Sequence, residues 1–199
     1  MMLRKIRIAL WALVGFAAVG GLWIALRPQS QPPIVAGPSV ADIGGPFTLT
    51  GVDGKPFASS SLVGKPYAIF FGFTHCPDVC PTTLARLARL RTALGHGDDS
   101  FAILFVSVDP ERDPPTEIGR YATLFATPIV ALTGSASNID KVKKLFGVYS
   151  AKAPQDGGEY TVDHTASVFL VDAAGKFAAT IAPDEGDAAA FAKLERLIG

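Results

Sequence analysis

"YAIFFGFTHCPDVCPTTLARLARLRTAL", residues 67–94, holds both cysteines of the 199-residue chain. Its first seven residues are apolar throughout, as in a strand covered on both faces. Its second half repeats apolar groups at helical spacing through Leu84, Leu87, Leu90 and Leu94, with Arg91 on the same stripe and Gly95 as a stop signal. The stretch therefore reads strand, loop, helix. Cys76 and Cys80 fall on the loop, with Cys80 expected just ahead of the helix and Pro81 at its first position. Open α/β sheets build their sites at this carboxyl edge.

Outward from that unit, residues 46–57 read as a hairpin turning at Asp53-Gly54. Residues 101–109 form a second buried strand. A helix follows through "PPTEIGRYATLFA", with Asp113 as its cap and prolines in its first turn. "PIVALTG" reads as a strand and "NIDKVKKLFGV" as a helix. "HTASVFLVDAAGKFAATIA" makes a hairpin through Gly175, and "GDAAAFAKLERLIG" a closing helix. The order β-β-β-α-β-α-β-α-β-β-α predicts an α/β domain over residues 46–199: a central mixed sheet flanked by helices, in the thioredoxin-like class.

The N-terminal part has another character. Residues 8–26, "IALWALVGFAAVGGLWIAL", contain neither charge nor proline. As a helix they would span ~28 Å, close to a bilayer's hydrocarbon core. Arg4, Lys5 and Arg7 precede the run, and Trp11 and Trp23 lie toward its ends. The expectation is a single-pass inner-membrane anchor with residues 1–7 in the cytoplasm and the domain in the periplasm. A cleaved signal would have a shorter apolar stretch and a nearer small-residue site than "SVA" at 39–41. Residues 27–45, rich in proline and glycine, read as a tether. Beyond residue 27 the chain carries 14 basic against 18 acidic residues, without the basic patch of a nucleic-acid binder.

Three uses of two close thiols compete. As a staple the pair closes so short a loop that it removes little unfolded-state entropy. As a redox pair it has three intervening residues, where the thioredoxin motif has two. Around one turn the side chains come close enough to share an ion, and a small closure would join them as a disulfide bond. A helix N-terminus should favour the thiolates. A third ligand would come from one of three histidines. His96 lies in a polar turn, and His75 should point away from its neighbour Cys76. His164 precedes a strand expected antiparallel to residues 67–73, which directs it toward Cys76 and Cys80. Two soft thiolates with one imidazole suit copper, since Cu(I) accepts three-coordination. Asp109, Glu111 and Asp113 read as turn and capping chemistry, with Arg112 pairing locally; a docking surface is their functional alternative. Asp78 reads as a turn residue or a weak oxygen ligand.

Together "FGFTHCPDVCPTTL", "VSVDPERDPP" and "VDHTASVFLVD" resemble the Sco/SenC family of membrane-anchored copper chaperones. The resemblance spans residues 72–172. It implies a thioredoxin-like fold that binds one copper, as Cu(I) or Cu(II), through Cys76, Cys80 and His164, with no turnover chemistry of its own. It also implies a partner: cytochrome c oxidase subunit II, whose dinuclear copper centre the family helps to mature, or another copper-site protein. The rival reading is a thiol–disulfide oxidoreductase that reduces the recipient's cysteines before metal loading.

Overall fold

The computed structural model describes residues 43–155 and 157–199, together with Arg4, Trp11 and Trp23. The expected membrane helix and nearly all of the tether lie outside the described residues. Among the described residues no helix is long and apolar enough to cross a membrane.

Six consecutive buried residues make β3 (Tyr67–Gly72), and six more make β4 (Ala102–Ser107). Such runs need cover on both sides, so they take the centre of a seven-stranded sheet. β1 (Thr48–Gly51) and β2 (Pro56–Ala58) form the first hairpin, with Gly54 at φ 75 in its turn. β5 is Val130–Thr133, and β8 (Val168–Val171) and β9 (Phe177–Ile181) form the second sheet hairpin. The strand order is β2-β1-β5-β4-β3-β8-β9. β5, β4 and β3 run parallel, while β1 and β8 are antiparallel to their inner neighbours. This is the mixed sheet expected of the thioredoxin-like class.

Helices cover both faces. α1 (Val79–Leu94) buries Cys80, Leu84, Leu87, Leu90, Arg91 and Leu94 and ends at left-handed Gly95. The buried Arg91 guanidinium donates to the carbonyls of Phe101 at 3.2 Å and Pro128 at 3.0 Å, tying the helix to the starts of β4 and β5. α2 (Pro115–Ala122) lies on the same side, where Tyr121 packs 5.4 Å from the Phe105 ring. α3 (Ala136–Phe146) covers the opposite side, with Phe146 5.5 Å from both Phe71 and Phe169. α4 (Asp187–Ile198) closes the chain and meets α1 through the Arg86–Asp187 ion pair, 2.7 Å.

Three local expectations are corrected. Helix α1 starts at Val79, with Asp78 as its N-cap, so Cys80 is already helical and Pro81 is the third residue rather than the first. Proline is tolerated there because the first amides of a helix have no intrahelical partner. Asp113 does not cap α2; Pro114 does, and Asp113 is fully buried. Finally β6 (Ser150–Pro154) and β7 (Tyr160–His164) form a separate two-stranded hairpin that had not been foreseen. Its arms carry no long apolar run, although Asp156, Gly157 and Gly158 offer a turn signal in the sequence, the two glycines at positive φ.

Candidate metal centre

The site assembles where three segments meet. The carboxyl end of β3 delivers Gly72 and Phe73, the following loop carries Cys76, and the first turn of α1 carries Cys80. The last residue of β7 is His164. Among the described residues, these two cysteines and this histidine form the group able to hold one ion, with donor atoms all within 4.8 Å of one another. Cys80 Sγ lies 3.6 Å from His164 Nε2, and the Cys80 amide donates to Cys76 Sγ at 3.4 Å. Both cysteines are free thiols.

Each donor has a distinct environment. Cys80 is fully buried, while Cys76 is half-buried. Burial pushes the Cys80 thiol far up, opposed by a backbone hydrogen bond at Phe73; the neighbouring Cys76 and Asp113 push further up. Dehydration thus outweighs the helix N-terminus, which had been expected to favour thiolate. Burial pushes His164 down and keeps its imidazole neutral near pH 7. His164 Nδ1 lies 3.1 Å from the Thr165 carbonyl, so Nδ1–H donates there and the Nε2 lone pair faces Cys80. The rings of Phe70 and Phe73 stand edge-on to the imidazole at 6.0 and 5.9 Å. An apolar wall with two sulfurs and one unprotonated nitrogen is suited to a soft ion.

Sequence reasoning missed the parts that hold this arrangement. A Cβ at Gly72 would stand 2.6 Å from Cys80 Sγ and 2.9 Å from the Phe105 ring, so only glycine leaves the sulfur its place. Asp113 accepts from the Thr74 amide at 3.0 Å and hydroxyl at 2.5 Å, and from Ser107 Oγ at 2.6 Å. It pins the start of the cysteine loop to the end of β4. An aspartate that looks like a helix cap in sequence is here a buried acceptor, and only long-range pairing distinguishes the two.

The other candidates are elsewhere engaged. His75 Nδ1 lies 3.0 Å from Thr74 Oγ1 and 3.8 Å from Asp113, apart from the thiols. His96 is exposed beyond α1. Asp109 pairs with Arg112 at 2.5 Å, as expected, and Glu111 with Lys152 at 2.6 Å. With Asp113 bound to Thr74 and Ser107, the three carboxylates face different partners. Asp78 is exposed and lies outside the three-donor group.

The family pattern described as SCO1/SenC matches residues 35–199. The chain belongs to the SCO1/SenC family. As a SCO1/SenC protein it is 37% identical over 138 residues to the mitochondrial SCO1 homolog of Mus musculus, covering 68% of this chain and 49% of that one. The chain spans about half the length of such curated relatives. The SCO2-like protein RP587 of Rickettsia prowazekii is 32% identical over 182 residues, 88% of this chain and 87% of the relative. Among solved structures, Bradyrhizobium japonicum ScoI with copper bound shares 42% identity at a TM-score of 0.70, covering 78% of this chain and 99% of its own. Yeast Sco1 with copper bound shares 31% identity at 0.71, covering 78% and 87%.

Proposed function

We propose that this SCO1/SenC protein is a copper carrier in which Cys76, Cys80 and His164 hold one copper ion and release it to an acceptor protein. The observation that carries this reading is the convergence of two thiols and a neutral imidazole within 4.8 Å. A carrier must grip its cargo yet let it go. Fully buried Cys80 supplies the grip, while half-buried Cys76 and His164 leave one side from which an acceptor's thiols can displace the ligands one at a time. Related ScoI and Sco1 structures that contain copper support the identity of the ion. A relative described as a member of the Sco family of cytochrome c oxidase assembly proteins supports the acceptor, which we take to be the dinuclear copper site of oxidase subunit II.

Titration of the reduced full chain with Cu(I) tests this. One ion should bind per chain, and the affinity should depend on pH. Cys80 holds its proton because of burial, so metal binding must expel it. Below the pKa of that thiol, the apparent affinity rises about tenfold per pH unit from this proton alone. His164, lowered by burial, adds no such dependence at neutral pH and competes with protons only in acid. An affinity flat between pH 6 and 8 would contradict thiolate ligation by Cys80.

A second reading is favoured by a specific relative, a 28% identical Sco protein described as having a disulfide switch. Here Cys76 and Cys80 would give two electrons and two protons to a recipient's disulfide and become a disulfide themselves. Proton retention by Cys80 weighs against it as the attacking group, which leaves Cys76 for that role.

Membrane attachment belongs to the same proposal. The apolar residues 8–26 would anchor the protein in the inner membrane and present the domain on the periplasmic side. The chain should stay with membranes through a high-salt wash that strips electrostatically bound proteins. Recovery of a soluble form beginning near Asp42 would show cleavage instead.

A further inference from the structure

The hairpin that carries His164 stands apart from the main sheet, and a lone two-stranded hairpin has little stability of its own. Its placement depends on what docks it. On β7, Tyr160, Val162 and His164 share one face by the two-residue period of a strand. Val162 is buried, and His164 reaches Cys80. Tyr160, at the far end, meets Arg112 in the loop after β4.

That meeting combines stacking, a hydrogen bond and an ion pair, although Arg112 Nη2 is buried without a hydrogen-bond partner among the described residues. The Arg112 guanidinium lies 3.7 Å from the Tyr160 ring centroid and donates to the Tyr160 carbonyl at 2.9 Å. It also pairs with buried Asp109 at 2.5 Å, and the Tyr160 hydroxyl donates to that same carboxylate at 3.0 Å. The guanidinium lies 5.7 Å from the ring of Phe73, the residue between β3 and the cysteine loop. Outside this ring, the hairpin's side-chain hydrogen bonds to the rest of the domain, among the described residues, are exposed Lys152 to Glu111, His164 to Cys80, and His164 to the carbonyl of the adjoining Thr165. One planar cation therefore touches both the hairpin and the strand end that present the donors.

We infer that Arg112 is a positioning residue for His164: by clamping Tyr160 to Asp109 it sets the hairpin's docked position and so the reach of the imidazole to the copper bound by the two thiols. The inference rests on the copper-carrier reading. Lysine is a poor substitute, because a point charge on a flexible stem neither stacks flat on the ring nor bridges carboxylate and carbonyl together. Removing a partner that orients a metal-ligating histidine costs about 10- to 100-fold in metal affinity.

Full-length wild type, Arg112→Ala, Arg112→Lys, His164→Ala and the Arg112→Ala/His164→Ala double variant are solubilised in detergent. Their Cu(I) affinities are measured by competition with a chromophoric chelator, and nitrogen coupling is read from the electron paramagnetic resonance of the Cu(II) forms. Arg112→Ala should weaken Cu(I) by about 10- to 100-fold and reduce the nitrogen coupling, and Arg112→Lys should not restore either. The double variant should bind no more weakly than His164→Ala alone, because Arg112 acts through the imidazole. Unchanged affinity in Arg112→Ala, or an equal further loss in the His164→Ala background, overturns the inference while leaving the three-donor site intact. Wild type without copper binding, or His164→Ala indistinguishable from it, overturns the carrier reading and this inference with it. If Arg112→Ala fails to fold by circular dichroism, Tyr160→Leu opens the same joint while keeping both charges of the Arg112–Asp109 pair and decides by the same comparison.

Discussion

Replacing either cysteine by serine should abolish tight copper binding. A serine hydroxyl is isosteric with the thiol but does not ionise near neutral pH and is a hard donor, so it contributes almost nothing to a soft ion. The loss should exceed the ~10- to 100-fold that follows removal of an outer partner, since here a ligand itself disappears. The two variants should not be equivalent in stability. Cys80 is packed with no exposed surface against the Gly72 backbone, where serine places a hydroxyl in an apolar setting. Cys80→Ser should therefore cost about 1–3 kcal/mol in urea unfolding, and half-buried Cys76→Ser clearly less. Equilibrium titration and denaturation of the two variants read both quantities. Full stoichiometric binding by either one would dismiss the three-donor site, because the chain has no other thiol to take over.

The central strands, α1 and the two sheet hairpins were legible because each announces itself locally. β3 and β4 are unbroken apolar runs, α1 has a leucine stripe, and Gly54 and Gly175 mark their turns. The antiparallel relation of β8 to β3, anticipated from the fold class and observed with Phe70 paired to Val168, brings the chain ahead of β8 to the thiol edge, but it is the unforeseen β6–β7 hairpin that presents His164 there. What was not legible depends on partners distant in sequence. Asp113 resembles a cap until Thr74, 39 residues away, is brought against it. Arg112 reads as half of a local ion pair until the hairpin folds Tyr160 onto it. The Cys80 thiol was expected to be acidified by its helix. Local sequence shows the helix but not the neighbours from other segments, the Gly72 backbone and His164 among them, that bury the sulfur.

The same burial separates the two functional readings most sharply at His164. His164→Ala removes the imidazole 3.6 Å from Cys80 Sγ but leaves both thiols, the Asp113 anchor of their loop and the first turn of α1 untouched. A copper carrier then loses one of three ligands in a pocket where water is a poor replacement, so affinity should fall by orders of magnitude. Thiol exchange depends instead on thiolate fraction, nucleophilicity and access. His164 is neutral near pH 7 and its removal takes no charge from beside the sulfurs, so exchange rates and the Cys76–Cys80 potential should move little. The decisive measurement pairs exchange kinetics of the purified variant with cytochrome c oxidase activity in cells carrying only His164→Ala at limiting copper. Lost oxidase activity with near-normal exchange is the expected outcome. Normal oxidase activity despite severely weakened copper binding would assign the two cysteines to reduction of the acceptor's disulfide, with the imidazole a bystander.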